Sequence, residues 1–174
     1  MNRRQLLQGL AAMAAMPWLS SCSRASDPSP AAGAKAVVAL NRPDAYWRDK
    51  VGAAAYNVLF KDGTERAFSS PLDREKRAGT YLCAACHLPL FDSRHKFDSG
   101  TGWPSFTQPI PGHVATRRDF KLILPRTEYH CARCGGHQGH VFDDGPPPRG
   151  ERWCNNGVAL RFVPKGEPLP PLRG

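Results

Sequence analysis

The spacing of hydrophobic positions along the chain changes near Tyr81. Before that residue, apolar side chains recur at helical intervals from Asp44 to Leu59, and a second short helix is predicted from Ser70 to Arg77. After it, short apolar runs alternate with Gly and Pro, a pattern typical of strands joined by turns. The predicted strands are Leu88–Phe91, Val114–Thr116, Lys121–Pro125, Glu128–His130, His140–Phe142 and Gly157–Val163.

The composition agrees with a mainly β chain. Its 174 residues include 16 Gly and 17 Pro, which argues against a helical bundle, and 41% of them are hydrophobic, which suffices for a core. The length allows one domain together with an addressing segment. The formal net charge of +9 would suit a nucleic acid or an anionic membrane, but the basic residues are scattered along the chain. The charge therefore predicts a solvated basic surface, and no nucleic-acid partner is expected.

Residues 1–22 have the features of an export signal with a lipobox. Arg3-Arg4 resembles a twin-arginine motif, the apolar run that follows is too short to span a membrane, and Leu19-Ser20-Ser21-Cys22 resembles a bacterial lipobox. The resemblance implies a lipid anchor on Cys22 and a membrane-anchored protein on the periplasmic side. The alternative is an ordinary secretory signal and a soluble periplasmic protein. Residues 23–39 then form a flexible tether, residues 40–165 the domain, and residues 166–174 a tail that wraps the surface or frays.

Two C-x-x-C pairs indicate a metal site. They are Cys83 with Cys86 and Cys131 with Cys134, and two residues between cysteines let both sulfurs reach one tetrahedral ion. Two such pairs complete the four-thiolate set of a closed, structural Zn²⁺ site. Local disulfides in an oxidising compartment and a redox dithiol are the alternatives, and the paired spacing favours zinc.

One further thiol, Cys154, lies in the polar stretch Arg152-Trp153-Cys154-Asn155-Asn156. A neighbouring cation stabilises a thiolate, so this stretch predicts a reactive cysteine with a lowered pKa rather than a buried inert one. A maleimide or iodoacetamide titration would then find one fast thiol.

Two other polar stretches accompany this thiol. The glycine-rich segment 99–106 leaves Trp103 either as the wall of a pocket or as a plug of the core. His137 and His140 follow the second cysteine pair and precede an acidic turn that contains Asp144, a placement that suits proton transfer. Metal ligation is the other role open to the histidines, but the four cysteines already complete a set.

Together these motifs resemble a methionine sulfoxide reductase of the B type, the class that reduces the R epimer of methionine sulfoxide. The resemblance covers roughly residues 40–165. It is carried by the two cysteine pairs and by the segments Leu90-Phe91-Asp92-Ser93, Lys96-Phe97-Asp98-Ser99-Gly100, Gly102-Trp103-Pro104-Ser105-Phe106, Gly139-His140-Val141-Phe142 and Arg152-Trp153-Cys154-Asn155-Asn156.

The resemblance implies two small antiparallel sheets in a partly open barrel, short N-terminal helices and a zinc clamp. It also implies roles at the site. Cys154 attacks the sulfoxide sulfur and becomes a sulfenic acid, and His140, helped by His137, supplies a proton. Arg152 favours the thiolate. The remaining roles are positioning by Asn156 and Asp144 and contact with substrate by Trp103 and Phe142.

Thr101 is an informative departure, because many members of this family have a resolving cysteine at its position. With four cysteines on zinc and Cys22 on lipid, no spare thiol remains, so a one-cysteine cycle is expected. The sulfenic acid would be reduced by an external thiol, such as a thioredoxin-like donor. The expected protein is a monomer that repairs oxidised methionine in proteins. A zinc-ribbon-like module that binds an anionic partner is the alternative.

Overall fold

The computed structural model describes residues 36–120 and 124–174, which fold into two antiparallel sheets preceded by one α-helix. The predicted fold class, mainly β with two antiparallel sheets and short N-terminal helices, is confirmed. The described residues form no closed barrel. Among the same residues, no helix has both the length and the apolar character needed to cross a membrane.

The single helix predicted from Asp44 to Leu59 is wrong as one element. The structure has a 3-10 turn at Asp44–Trp47 and then the α-helix α1 at Ala53–Lys61, because the backbone turns extended at Gly52. The apolar spacing was nevertheless informative, since the Trp47 ring is fully buried and stacks on Phe60 at a centroid distance of 5.8 Å.

The second predicted helix, Ser70–Arg77, is reduced to a 3-10 turn at Pro71–Asp73. The Ser70 hydroxyl accepts a hydrogen bond from the Leu72 N–H at 3.2 Å, and proline occupies the first position of the turn. No apolar periodicity follows to extend the turn into a helix.

The smaller sheet has three strands in the order β2-β1-β9. They are β1 at Gly79–Cys83, β2 at Pro89–Asp92 and β9 at Leu160–Pro164. The strand predicted at Gly157–Val163 begins instead as a 3-10 turn, Gly157–Ala159, and continues into β9. Strand β1 was not predicted, because its residues lead directly into the first cysteine pair.

The larger sheet has six strands: β3 at Lys96–Phe97, β4 at Ser105–Phe106, β5 at Val114–Asp119, β6 at Arg126–Cys131, β7 at His137–Phe142 and β8 at Arg152–Asn155. Their order in the sheet is β3-β4-β8-β7-β6-β5. The strands predicted at Val114–Thr116, Glu128–His130 and His140–Phe142 are confirmed as parts of β5, β6 and β7, whereas β3, β4 and β8 were not predicted. Of the strand predicted at Lys121–Pro125, residues 121–123 lie outside the described residues and Leu124-Pro125 is not a strand.

Aromatic side chains from both sheets form the core. Phe91 of β2 stacks on Phe106 of β4 at 4.1 Å between centroids, and Tyr81 of β1 meets the same Phe106 edge-on at 4.9 Å. Tyr129 and Trp153 meet edge-on at 5.0 Å. Burying each of these rings contributes roughly 1.5–3 kcal/mol. Since Trp153 faces the core and side chains alternate along a strand, its neighbour Cys154 points to the opposite face of the sheet.

The C-terminal tail packs against the cysteine pairs and does not fray. The Arg173 N–H donates to the Cys86 carbonyl at 3.0 Å, and the Arg133 guanidinium donates to the Arg173 carbonyl at 2.6 Å. The chain before the first helix is held there too, because the Leu40 N–H donates to the Arg133 carbonyl at 2.6 Å. Both ends of the described chain therefore fasten to the same region.

Candidate active site

Strand pairing aligns five residues across the six-stranded sheet. In register, Ser105 of β4 pairs with Cys154 of β8, Cys154 with His140 of β7, His140 with Glu128 of β6, and Glu128 with Arg117 of β5. Directly opposed residues lie on the same face with Cβ atoms about 5 Å apart. The single thiol thus lies between a serine and a histidine, in a row that ends in a carboxylate and a guanidinium.

The Cys154 thiol is half-buried, and burial is the largest influence on its acidity. Burial raises the pKa of Cys154 above its ordinary value of 9.0, and the charge and hydrogen bond of Arg152 oppose this shift without reversing it. Arg152 acts on the thiol pKa in the predicted direction, but the lowered pKa predicted for Cys154 is not found, because burial outweighs the arginine. At neutral pH, the resting group is the thiol.

Arg152 is itself buried and already paired. Its guanidinium donates two parallel hydrogen bonds to the Asp144 carboxylate, at 2.7 and 2.9 Å, and lies 4.4 Å from the centroid of the Phe142 ring. The hydrogen bond from Arg152 lowers the pKa of Asp144 below its ordinary value of 3.8. The structure thus brings together three predicted residues, Arg152, Asp144 and Phe142. Asp144 fixes the guanidinium of Arg152, which lies two positions before Cys154 in the chain.

His140 has a partner that the sequence did not indicate. Its Nε2 lies 2.7 Å from an Asp119 carboxylate oxygen, which also accepts a hydrogen bond from Arg126 at 2.7 Å. Burial lowers the pKa of His140 below its ordinary value of 6.5; the hydrogen bond to Asp119 opposes this shift, and the Arg126 charge adds to it. The imidazole is neutral at pH 7, with Nε2–H donated to Asp119 and Nδ1 left as the acceptor.

His137 lies beside His140, with a ring-centroid distance of 5.4 Å. Its Nδ1 is 2.7 Å from the carboxylate of Glu128, and both side chains are buried. Burial acts to raise the pKa of Glu128, but His130, whose Nδ1 lies 3.7 Å from the carboxylate, the hydrogen bond with His137 and the charge of Arg117 outweigh it and hold this pKa well below 4.5. Glu128 therefore stays ionised and fixes the orientation of His137.

Asp62, Glu128 and His137 bring possible ligand atoms within 4.8 Å of one another. The guanidinium of Arg117 already forms ion pairs with both of these carboxylates, and so supplies the positive charge that a metal ion would bring. A cavity of about 320 Å³ opens here and is lined by both histidines, Arg117 and Phe120 among others. Its size is within the range of small-ligand sites.

The predicted pocket wall, Trp103, is half-buried, and its indole N–H donates to the backbone carbonyl of Glu65 at 3.2 Å. The Asn156 side chain is buried: its amide donates to the Gln138 carbonyl at 3.0 Å, and its oxygen accepts from the Glu65 N–H at 3.0 Å. Asn156 thus uses its side-chain groups to hold backbone. Glu65 was missed by the sequence analysis, because it lies in a segment that has no motif.

Thr101 is part of a chain of hydroxyl groups that leads to the strand beside the thiol. Its Oγ1 is 2.8 Å from the Ser99 hydroxyl, which is 2.8 Å from the hydroxyl of Ser105. Among the described residues, Cys154 is the only cysteine outside the two pairs. Every other described cysteine therefore belongs to one of the two C-x-x-C pairs.

The four paired cysteines are placed so that they could hold one metal ion. All four sulfurs lie within 4.8 Å of one another, and the contacts between pairs are 3.6 Å for Cys83–Cys134 and 3.5 Å for Cys86–Cys131. Four sulfurs placed tetrahedrally at the Zn–S bond length of about 2.3 Å would be separated by about 3.8 Å. The spacing and the soft donor set fit Zn²⁺.

The two cysteine loops share one backbone design. Each follows a strand, β1 or β6, and each places a residue with positive φ directly after its second cysteine, His87 at 63° and Gly135 at 73°. The left-handed residue turns the chain back, so that the His87 N–H reaches the Cys83 carbonyl at 2.9 Å. Two strand ends from different sheets are thereby joined at one point.

Comparisons with known proteins cover most of this domain. The sequence model of the SelR domain matches residues 51–164. A peptide methionine sulfoxide reductase MsrB of Agrobacterium fabrum is 49% identical over 126 residues, which span 72% of this chain and 93% of the relative. The protein of that name from Bradyrhizobium diazoefficiens is 52% identical over 120 residues, or 68% and 86%. The chloroplastic peptide methionine sulfoxide reductase B1 of Arabidopsis thaliana is 49% identical over 117 residues, or 67% and 58%.

Proposed function

The chain belongs to the SelR-domain family of peptide methionine sulfoxide reductases, and we propose how its own residues carry out that reaction. The protein is an oxidoreductase that reduces the R epimer of methionine sulfoxide to methionine, a reaction that repairs oxidised proteins. The family, the activity and the reaction predicted from the sequence are confirmed.

The row Ser105–Cys154–His140 is the observation that supports Cys154 as the nucleophile. The Cys154 sulfur attacks the sulfoxide sulfur, the sulfoxide oxygen passes to the cysteine, and methionine leaves. The methionine sulfur gains two electrons and Cys154 loses two, so the enzyme is left as a sulfenic acid. Two thiol groups of an external donor then reduce it, yielding a disulfide and one water.

His140 moves the proton that this step requires. A sulfoxide oxygen is a poor leaving group until it is protonated, and the resting site holds the proton on Cys154 because burial raises the thiol pKa. The neutral imidazole accepts that proton and delivers it to the sulfoxide oxygen. Asp119, at 2.7 Å from Nε2, stabilises the imidazolium formed in between. His140 therefore does not have to be protonated before the substrate binds.

Trp103 and Phe142 provide the apolar surfaces that we assign to substrate. The indole of Trp103 accepts the methyl group and thereby selects the R epimer, because an apolar wall on one side of the sulfur leaves only one epimer with its oxygen towards His140. Phe142 lies between Arg152 and His140, at 6.5 Å from the histidine ring. Its position suits contact with the substrate chain.

We assign Zn²⁺ to the four-cysteine cluster as a structural ion. Cys83, Cys86, Cys131 and Cys134 would hold it as thiolates, and four protein ligands leave no position for water. What the ion supplies is folding free energy, because it joins one loop of each sheet. No thiol of this cluster is assigned to the catalytic cycle.

A one-cysteine cycle needs a reductant from outside the chain. The site offers Thr101 where a resolving thiol would act, so an external thioredoxin-like donor reduces Cys154. The export signal, the lipobox at Cys22 and the tether up to residue 35 lie outside the described residues. Their sequence supports a lipoprotein on the periplasmic side of a membrane. We propose that this lipoprotein is a monomer. Incorporation of labelled palmitate that Cys22→Ser abolishes would support the anchor.

Epimer-resolved turnover tests the proposed chemistry. The full-length protein is supplied with dithiothreitol and with R or S sulfoxide of a blocked methionine, and the methionine product is quantified by chromatography. Product from the R epimer alone, lost in Cys154→Ser, is the expected result. Turnover that survives in Cys154→Ser would remove Cys154 from its assigned role.

A further inference from the structure

Glu65 has an unusual number of contacts around the site. It lies in the segment after α1, and it forms four hydrogen bonds with residues on two sides of the thiol. Its backbone carbonyl accepts the indole N–H of Trp103 at 3.2 Å, and its backbone N–H donates to the Asn156 side chain at 3.0 Å. One residue therefore fixes both the assigned methyl wall and the amide that follows Cys154 by two positions.

The side chain of Glu65 explains why its backbone stays in place. The carboxylate accepts the N–H groups of Gly157 at 2.5 Å and Val158 at 2.9 Å, one through each oxygen. These N–H groups begin the 3-10 turn Gly157–Ala159, where the backbone has no partner of its own in the turn. Hydrogen bonds to a charged acceptor are about twice as strong as neutral ones.

Close packing adds an independent indication that this contact is built into the fold. A Cβ at Gly157 would overlap the Ser70 hydroxyl and would approach the Glu65 carboxylate to 3.2 Å. Glycine is therefore required for segment 65–70 to approach the chain that leaves β8. The Phe68 N–H also donates to the Gly102 carbonyl at 2.7 Å, which ties the same segment to the loop of Trp103.

From this geometry we propose that Glu65 is a positioning residue of the substrate pocket: its carboxylate anchors segment 65–70 on the turn after Cys154, and its backbone thereby holds Trp103 and Asn156 in place. The proposal rests on the proposed function, because the indole matters only as the wall that receives the substrate methyl group. Glu65 itself touches neither the substrate nor the reacting atoms.

The proposal predicts opposite effects on substrate use and on thiol reactivity. Loss of the carboxylate releases the indole, so KM for the R sulfoxide rises. The negative charge of Glu65 is also among the groups that raise the pKa of Cys154, so removing it does not slow alkylation of the thiol. A general loss of structure at the site would impair both.

The test compares Glu65→Ala and Glu65→Gln in the full-length, zinc-loaded protein, in a Cys22→Ser background. KM for the R sulfoxide is expected to rise at least tenfold in Glu65→Ala with kcat within threefold. Glu65→Gln keeps one hydrogen-bond acceptor, so its KM is expected to lie between those of Glu65→Ala and the parent. Iodoacetamide is expected to alkylate Cys154 at least as fast as in the parent. Glu75→Gln, which alters a half-buried glutamate paired with Arg77, is the matched control and keeps the parental KM.

A second measurement needs no turnover. In ¹⁵N spectra, the indole N–H of Trp103 is expected to exchange with solvent at least tenfold faster in Glu65→Ala. The indole N–H of Trp153, which donates to Glu151 at 3.2 Å, keeps its rate. Parallel losses of kcat, of alkylation and of thermal stability with KM unchanged would overturn the proposal, as would an unaltered Trp103 exchange rate. Absence of turnover in the parent itself would remove the proposed function, while the indole signals would still decide the positioning.

Discussion

The replacement of Asp119 by asparagine separates proton transfer from binding. The Asp119 carboxylate lies 2.7 Å from His140 Nε2, and asparagine keeps nearly the same shape and a hydrogen-bonding group while removing the charge. A hydrogen bond to a charged group contributes about 1.5–3 kcal/mol. If that contribution is made to the imidazolium that forms during the reaction, its loss slows the step by roughly 10- to 150-fold, since about 1.4 kcal/mol is a factor of ten.

The Arg126 guanidinium adds to this effect, because it loses its carboxylate partner and faces His140 with an uncompensated charge. We therefore expect kcat of Asp119→Asn to fall by at least about tenfold and by up to about 150-fold or more, with KM within threefold. The assay is single turnover of the R sulfoxide under rapid mixing, followed by quantification of methionine. Asp44→Asn is the control, because Asp44 belongs to an exposed ion pair with Lys61, and such pairs contribute about 0–1 kcal/mol.

A kcat for Asp119→Asn within threefold of the parent would refute the role of Asp119 and, with it, the shuttle through His140. A fall in kcat that is accompanied by an equal loss of alkylation and of thermal stability would also refute it, because the effect would then be structural. The Asp44→Asn variant must keep both rate and stability for either conclusion to be drawn.

Two further predictions concern pH and the metal. Because the active pair is a thiol with pKa above 9.0 and an imidazole with pKa below 6.5, kcat/KM should be flat between those pH values. It falls in acid as His140 becomes protonated and in base as Cys154 loses its proton. Alkylation of the thiol should instead rise across the whole range, and a kcat/KM that rises with it would exclude the shuttle. Cys83→Ser should lose the metal and most of the folded population, because Zn²⁺ binding at structural sites contributes roughly 10–16 kcal/mol of free energy. Metal content is measured by mass spectrometry. A normal metal content together with a parental unfolding midpoint would contradict the zinc assignment.

Contiguous motifs made the metal site and the thiol predictable from the sequence. Two cysteine pairs fix their own geometry, and a short polar stretch marks Cys154, so neither depends on knowledge of the strand order. Strand β8 itself was missed, because Arg152 and Asn155 are polar residues that propensity does not assign to a sheet. Their burial is made possible by partners that are distant in sequence, Asp144 for the arginine and Tyr129, whose hydroxyl donates to Asn155 at 2.8 Å.

The partners of the histidines could not be predicted in the same way. Asp119 and Glu128 reach His140 and His137 through the pairing of β5, β6 and β7, and register is a property of the folded sheet rather than of any one segment. Glu65 is 91 residues away from Asn156 along the chain. No feature of the sequence marked Glu128 either, because it shares a face of β6 with Arg126 and His130, where a solvated carboxylate is expected.

The acidity of Cys154 shows the limit of arguments from neighbours. The adjacent arginine was expected to lower the thiol pKa, but its charge is shared with Asp144 and the thiol is half-buried. Burial cannot be read from the letters Arg-Trp-Cys, because it depends on the strands that flank β8, whose Ser105 and His140 lie directly opposite Cys154. The correction changes the mechanism, because the proton needed by the substrate is then carried by the nucleophile itself.

Intact mass after one turnover shows whether Cys154 reduces the R sulfoxide without a second thiol of the chain. The zinc-loaded Cys22→Ser protein is mixed with excess R sulfoxide of a blocked methionine, without reductant and with a trap for sulfenic acid, and the S epimer serves as the control. A one-cysteine cycle yields a trapped adduct on Cys154 with the R epimer only. Loss of two hydrogens with the R epimer would show a disulfide and contradict the one-cysteine cycle, and no change with either epimer would contradict the role of Cys154 as the nucleophile.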